Sequence, residues 1–150
     1  MAFELEIRDA IISVLQTEET IEGLKVEKGI KEPAKNYDLA NDKGCVLVRF
    51  VGGNCEQIRP VMFEDKEFHN AGQNQVCRYE VWVGYQRFKD EDEIADIASM
   101  VMDILSNDKV GLTVIQPFIC VSQQDFEISE NGIAWQRLVF ETRYKVKETV

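Results

Sequence analysis

The apolar positions change period several times along the chain, and each change predicts an element. Over residues 3 to 16, Phe3, Ile7, Ala10, Ile11 and Val14 recur at three- and four-residue steps, with Leu5, Ile12 and Leu15 widening the stripe. That is the pattern of an amphipathic helix. In "GLKVEKG", Leu24 and Val26 alternate with Lys25 and Glu27, which predicts a short strand. The stretch "IKEPAKNYDLANDK" (30–43) is polar, holds Pro33 and keeps no period, so it reads as a long exposed loop. "CVLVRFV" (45–51) is a β-branched strand, which "GGN" is expected to end with tight-turn glycines. "EDKEFHNAGQNQ" (64–75) reads as a second polar loop.

The strongest pattern lies in "YEVWVGYQRFKDEDEIADIASMVMDIL" (79–105) and the residues before it. Cys77, Tyr79, Val81, Val83 and Tyr85 fall on one face of a long strand; Arg78, Glu80, Trp82, Gly84 and Gln86 fall on the other. Ile94, Ile97, Ala98, Val101, Met102 and Leu105 then recur at helical steps over 90–105. "FICVSQQDFEIS" predicts a strand pair or one bent strand, and Asn131-Gly132 a hairpin turn. The closing strand "IAWQRLVFETRYKV" sets Leu138, Phe140, Tyr144 and Val146 against Trp135, Arg137, Val139, Glu141 and Arg143. Helix, strands, helix and more strands is not the alternation of a parallel doubly wound fold. The expectation is an α+β fold: one domain over 1–150, a mainly antiparallel sheet, and two amphipathic helices packed on one face.

Charge and composition narrow the function. The chain of 150 residues carries 27 acidic and 17 basic side chains, a formal charge of −10. Such a surface repels a phosphate backbone, so specific nucleic-acid binding is not expected. It does suit a lining past which DNA slides. No run approaches the ~18 apolar residues of a membrane span, so no membrane partner is expected. Glu4, Glu6 and Asp9 interrupt any secretory signal at the N-terminus, which makes the cytoplasm the default site of synthesis.

Candidate chemistry is thin. Cys45, Cys77 and Cys120 lie in apolar runs, where cysteine behaves as a small hydrophobe; Cys55 in "GGNCEQ" is the less certain case. His69 is the single histidine, so with no histidine partner it cannot seed a His-rich zinc site, and no cysteine lies close to it in sequence. Gly52-Gly53 match no phosphate-binding spacing, and no serine sits in a nucleophile elbow. The run Asp90, Glu91, Asp92 and Glu93 suits a helix start: Asp90 and Glu93 are spaced as a capping box, and acids in a first turn complement the helix dipole. A metal cage would need carboxylates converging on one point, which consecutive helical residues do not provide. No catalytic residue, cofactor or metal is assigned.

The second face of the sheet is what calls for explanation. Trp82 and Trp135 stand opposite the better apolar stripes of their strands, accompanied by Arg78, Glu80, Arg137, Glu141 and Arg143. Aromatic residues mixed with arginine are enriched at protein interfaces. Arg78, Glu80, Trp82, Trp135, Arg137 and Arg143 are therefore the subunit-interface candidates. The alternative is that each tryptophan lies under a loop or plugs a sheet edge.

The order of parts resembles that of the tail-terminator and tail-completion proteins of long-tailed bacteriophages, the Mu-like family in particular. The resemblance rests on "FELEIRDAIISVLQ", "LKVE" and a long loop, "GCVLVRFVGG", "CRYEVWVGYQR" leading into "EDEIADIASMVMDILS", and "GIAWQRLVFETRYK". It implies an α+β subunit of a homo-oligomeric ring, commonly a hexamer. That ring caps the tail tube, contacts the tail tube protein, and presents a surface to a head completion or connector protein while DNA passes through. It implies no enzyme and no cofactor, and a place in the neck of a virion tail assembled in the host bacterial cytoplasm, in an active phage or a prophage. The alternatives are a small cytoplasmic α+β binding module, a head-side connector component, or an enzyme using dispersed carboxylates or a Cys–His pair.

Overall fold

The computed structural model describes residues 2–18, 24–29, 43–56, 61–62, 68–69, 73–86, 91–107, 110–112, 115–124, 127–128 and 132–146. In chain order the elements are α1 (Phe3–Thr17), β1 (Lys25–Lys28), β2 (Gly44–Glu56), β3 (Val61–Met62), β4 (Phe68–His69) and β5 (Gln73–Tyr85). They continue with α2 (Glu91–Asn107), β6 (Ile119–Gln123), β7 (Glu127–Ile128) and β8 (Ala134–Val146). The main sheet runs β1-β2-β5-β8-β6, with β7 also paired to β8; β3 and β4 form a separate two-stranded sheet. β1 lies parallel to β2 and the remaining pairs are antiparallel. This is the expected α+β architecture.

Both helices cover the same face, and the burial follows their periods. Ile7, Ile11 and Leu15 of α1 and Ile94, Ala98, Val101 and Leu105 of α2 meet Val46, Val48, Cys77, Tyr79, Val81, Val83, Leu138 and Phe140 in one core. Polar clamps hold α1 in place. The Tyr79 hydroxyl donates to the Glu4 carbonyl at 2.7 Å, and the Tyr144 hydroxyl to Glu4 Oε1 at 2.9 Å. Burial raises the Tyr79 pKa above the ordinary phenol value, because a phenolate there would be stripped of water. Glu4 and Glu6 also place negative charge in the first turn of α1, where the dipole favours it.

Two expectations are corrected. β2 does not end at "GGN": it continues to Glu56, and the glycines form an irregularity between Phe50 and Gly52 instead of a turn. Val51 is the extra residue, and Gly52 takes φ 113° to absorb it. Gly53 lies so close to the Val76 carbonyl that no Cβ fits. The polar stretch 64–75 is not all loop: Phe68–His69 pair with Val61–Met62, and Gln73 to Gln75 already belong to β5. Backbone pairing carries these residues without an apolar alternation to announce them. The hairpin expected around Asn131-Gly132 is present: β7 and β8 pair antiparallel on either side of it, from Ile128 and Ala134 outward, and Gly132 has φ 80°.

β6 and β7 run in the same direction along β8, as one bent strand would. Residues 30–42, Asp90, Asn131 and the side chains of Cys55 and His69 lie outside the described residues, so the readings placed on them do too.

Candidate subunit-interface face

Strand alternation fixes what the second face carries. The register sets Cys45, Gly84 and Trp135 in one row and Leu47, Trp82 and Arg137 in the next. Arg49, Glu80 and Val139 follow, and then Gly52, Arg78 and Glu141. Ile119 extends that last row onto β6. The alternation read from β5 and β8 thus brings all six candidate residues onto a single surface opposite the helices.

The first rows form a small second core. Cys45, Leu47, Ile133 and Trp135 are buried together, with Trp82 packed against them. The two indoles meet edge to face, with centroids 6.4 Å apart at 81°. Gly84 makes this possible, because a Cβ there would stand 2.7 Å from Trp135 Cε3. Trp135 therefore lies across the backbone of β5, only 5% exposed.

Charge dominates the next rows. Glu80 is 3% exposed and receives two arginines: Arg49 Nε donates to Oε1, and Arg137 Nη1 donates to Oε2 at 2.8 Å. The Arg137 guanidinium also lies 5.8 Å from the centre of the Trp82 ring, within cation–π range. Glu141 repeats the arrangement, with Arg78 Nε 3.1 Å from Oε2 and Arg143 Nη2 3.0 Å from Oε1. Each carboxylate bridges two guanidiniums, so four arginines face two glutamates at the centre of this surface. Among these six side chains positive charge exceeds negative, on a chain of formal charge −10. Arg137 Nε and the Trp82 indole N–H are buried without a hydrogen-bond acceptor among the described residues.

The candidates differ in accessibility. Glu80 and Trp135 are buried and set the positions of their neighbours, Trp82, Arg137 and Arg143 are half-buried, and the Arg78 side chain is 52% exposed. Sequence reasoning missed Arg49, although a charge interrupting "CVLVRFV" was the available signal. It also missed Ile119 and Val121, which stand exposed on the outer strand β6.

Among the described residues, no group of three or more His, Cys, Asp and Glu side chains could hold a metal ion. Cys45 and Cys77 are buried, each in a different one of the two cores, and Cys120 is half-buried. No helix among the described residues is long and apolar enough to cross a membrane.

No protein-family model matches the chain, and no curated protein matches it by sequence. Among solved structures, the fold is similar to that of a chain in the "Virion of native gene transfer agent (GTA) particle". The TM-score is 0.60 at 14% sequence identity, covering 93% of this chain and 94% of that one. At this identity the likeness is one of fold, and it extends over nearly the whole of both chains.

Proposed function

We propose that this chain is a structural subunit of a phage-like particle, and more specifically a tail terminator. It forms a homo-oligomeric ring, a hexamer in the simplest form, that caps the tail tube and joins it to a head completion or connector protein. The observation that carries the reading is the fold likeness to a chain of a gene transfer agent virion over 93% of this chain. The arginine-rich second face supports it, since a ring subunit needs a surface for its neighbour. Arg78, Arg137, Arg143 and Trp82 are the contacting side chains in this proposal, while Glu80 and Trp135 hold them in position. DNA passes through without specific contacts, in keeping with the acidic balance, and no catalysis is assigned. The working location is the tail neck, after assembly in the host bacterial cytoplasm.

Size-exclusion chromatography with light scattering over a wide concentration range, followed by electron microscopy of the large species, tests this reading. Closed rings that bind the ends of purified tail tubes are the expected result. A strict monomer at every concentration, with no binding to tube ends, refutes it.

A further inference from the structure

The molecule is electrically two-sided in a way the second face alone does not explain. α2 carries Glu91, Asp92, Glu93, Asp96 and Asp103 and not one lysine or arginine. Its apolar side is buried against the sheet, so its solvent side points away from the arginine face. That solvent side shows Asp96, Ser99, Asp103 and Ser106, exposed at steps of three and four residues, which is a single stripe. Its serines are short, so the helix backbone is open to close approach. Neither Asp96 nor Asp103 is held by an ion pair among the described residues.

On the opposite side of the sheet, one exposed apolar side chain shares a row with the charges. The exposed large hydrophobic residues among those described are Val51, Ile119, Val121 and Ile128. Ile128 pairs with Ala134 in the helix-covered row, and Ile119 is the one whose register sets it on the arginine face. Ile119 is the register partner of Glu141, whose carboxylate holds Arg78 and Arg143. Ile119, 55% exposed, thus stands in the same row as a half-exposed guanidinium. An apolar centre beside arginine is the make-up of an interface core, and exposed edge strands are seldom left this apolar without a partner.

We propose that these two surfaces are partners: the Asp96–Ser99–Asp103 stripe of one copy docks on the Arg78–Ile119 patch of the next. This rests on the self-assembling reading above and specifies its contact. The occupant is a second copy because the complementary charge is carried by the same chain. Copies bearing −10 each repel at long range, and this orientation is one that opposes positive charge to negative. The patches lie on opposite sides of the sheet, so the contact is heterologous: every copy keeps one free patch of each kind until a ring closes.

The test is a charge swap in the full chain. Arg78→Glu and Asp96→Arg, made singly, should each raise the concentration at which large species form by at least ~10-fold, because like charges then meet. Mixing the two single variants should restore assembly in alternating copies, because each reversed patch then meets its complement, and the double variant should restore it to within a few-fold of wild type. Circular dichroism verifies the fold, and Asp96→Arg, on an exposed helix side, is the arm least able to disturb it. If wild type forms rings and either single reversal leaves the midpoint unchanged, this pairing is overturned while the ring reading stands. Loss in both singles without recovery in the double also overturns it, in favour of separate partners for the two patches. A wild-type chain that never self-associates overturns the ring reading and this contact together.

Discussion

Replacing Glu80 by glutamine removes one charge from the centre of the second face while keeping the shape of the side chain. The carboxylate is buried, and each oxygen accepts from a different arginine, Arg49 or Arg137. Hydrogen bonds to charged groups contribute about 1.5–3 kcal/mol each, and stripping one partner from a fully buried ion pair costs about 3–5 kcal/mol. Two features reduce that figure here. The arginine side chains are 22% and 23% exposed, so water already solvates part of each guanidinium. The amide oxygen still accepts from one of them. The expected loss is about 2–3 kcal/mol, or a fall in Tm of roughly 4–10 °C for a domain of this size.

Urea unfolding followed by tryptophan fluorescence reads this directly, because Trp82 lies against Arg137. The protein concentration must be low enough for one species to be present, and the denaturant slope must match wild type. A second arm separates lost charge balance from lost shape. Replacing the group together, as Arg49→Met, Glu80→Leu and Arg137→Met, removes the desolvation cost along with the attraction and should recover most of the loss. A glutamine variant within about 0.5 kcal/mol of wild type at unchanged slope refutes the bridging role of this carboxylate.

Three further outcomes follow from particular geometries. Gly84→Ala places a methyl against the Trp135 ring and should cost about 1–3 kcal/mol, with an altered near-ultraviolet dichroism from the displaced indole. Gly52→Ala meets no atom within 4 Å, so its cost of about 1–3 kcal/mol comes from φ 113° alone; an unchanged urea midpoint would remove the conformational argument. Tyr79 stays protonated in the folded chain above the pH at which an unfolded phenol ionises. The unfolded state then holds fewer protons than the folded one, and stability falls as pH rises above about 10, by up to about 1.4 kcal/mol per unit. Tyr79→Phe should flatten that alkaline decline while losing about 0.5–1.5 kcal/mol at neutral pH through the missing bond to Glu4; an equally steep decline in the variant rules this group out as its source.

Legibility in the sequence tracked the strength of burial contrast. Ile7, Ile11 and Leu15, and the alternation from Cys77 to Tyr85, could be read because each element has one dry face and one wetter one. The sides of Arg78, Glu80 and Trp82 followed from that alternation, and so did those of Trp135, Arg137 and Arg143. What could not be read depends on partners distant in sequence. The polar "QNQ" at 73–75 is strand because β2 and β8 pair with it, and no local pattern says so. The placing of β8 between β5 and β6, and the parallel pairing of β1 with β2, are likewise decided by the assembled core. Arg49 and Arg137 became a unit only once the register brought both to Glu80.

The same alternation explains why one sheet carries two unlike faces. The helix-covered face is apolar from strand to strand, so its stability comes from burial and needs no partner beyond the chain. The other face has a small apolar cluster at one end and Ile119 exposed in the Arg78–Glu141 row, and most of its charge lies in the rows beyond the cluster. A guanidinium–carboxylate pair contributes little net stability when half-solvated, because desolvation offsets most of the attraction. The two arginine pairs are therefore poorly accounted for as stabilising devices alone. Their effect is to keep positive charge fixed in position on an otherwise acidic molecule, with Glu80 and Glu141 aiming the guanidiniums. A face organised in this way selects the orientation of an acidic surface more than it strengthens the fold. In the proposed contact, the surface that meets those terms is the second helix of the next copy.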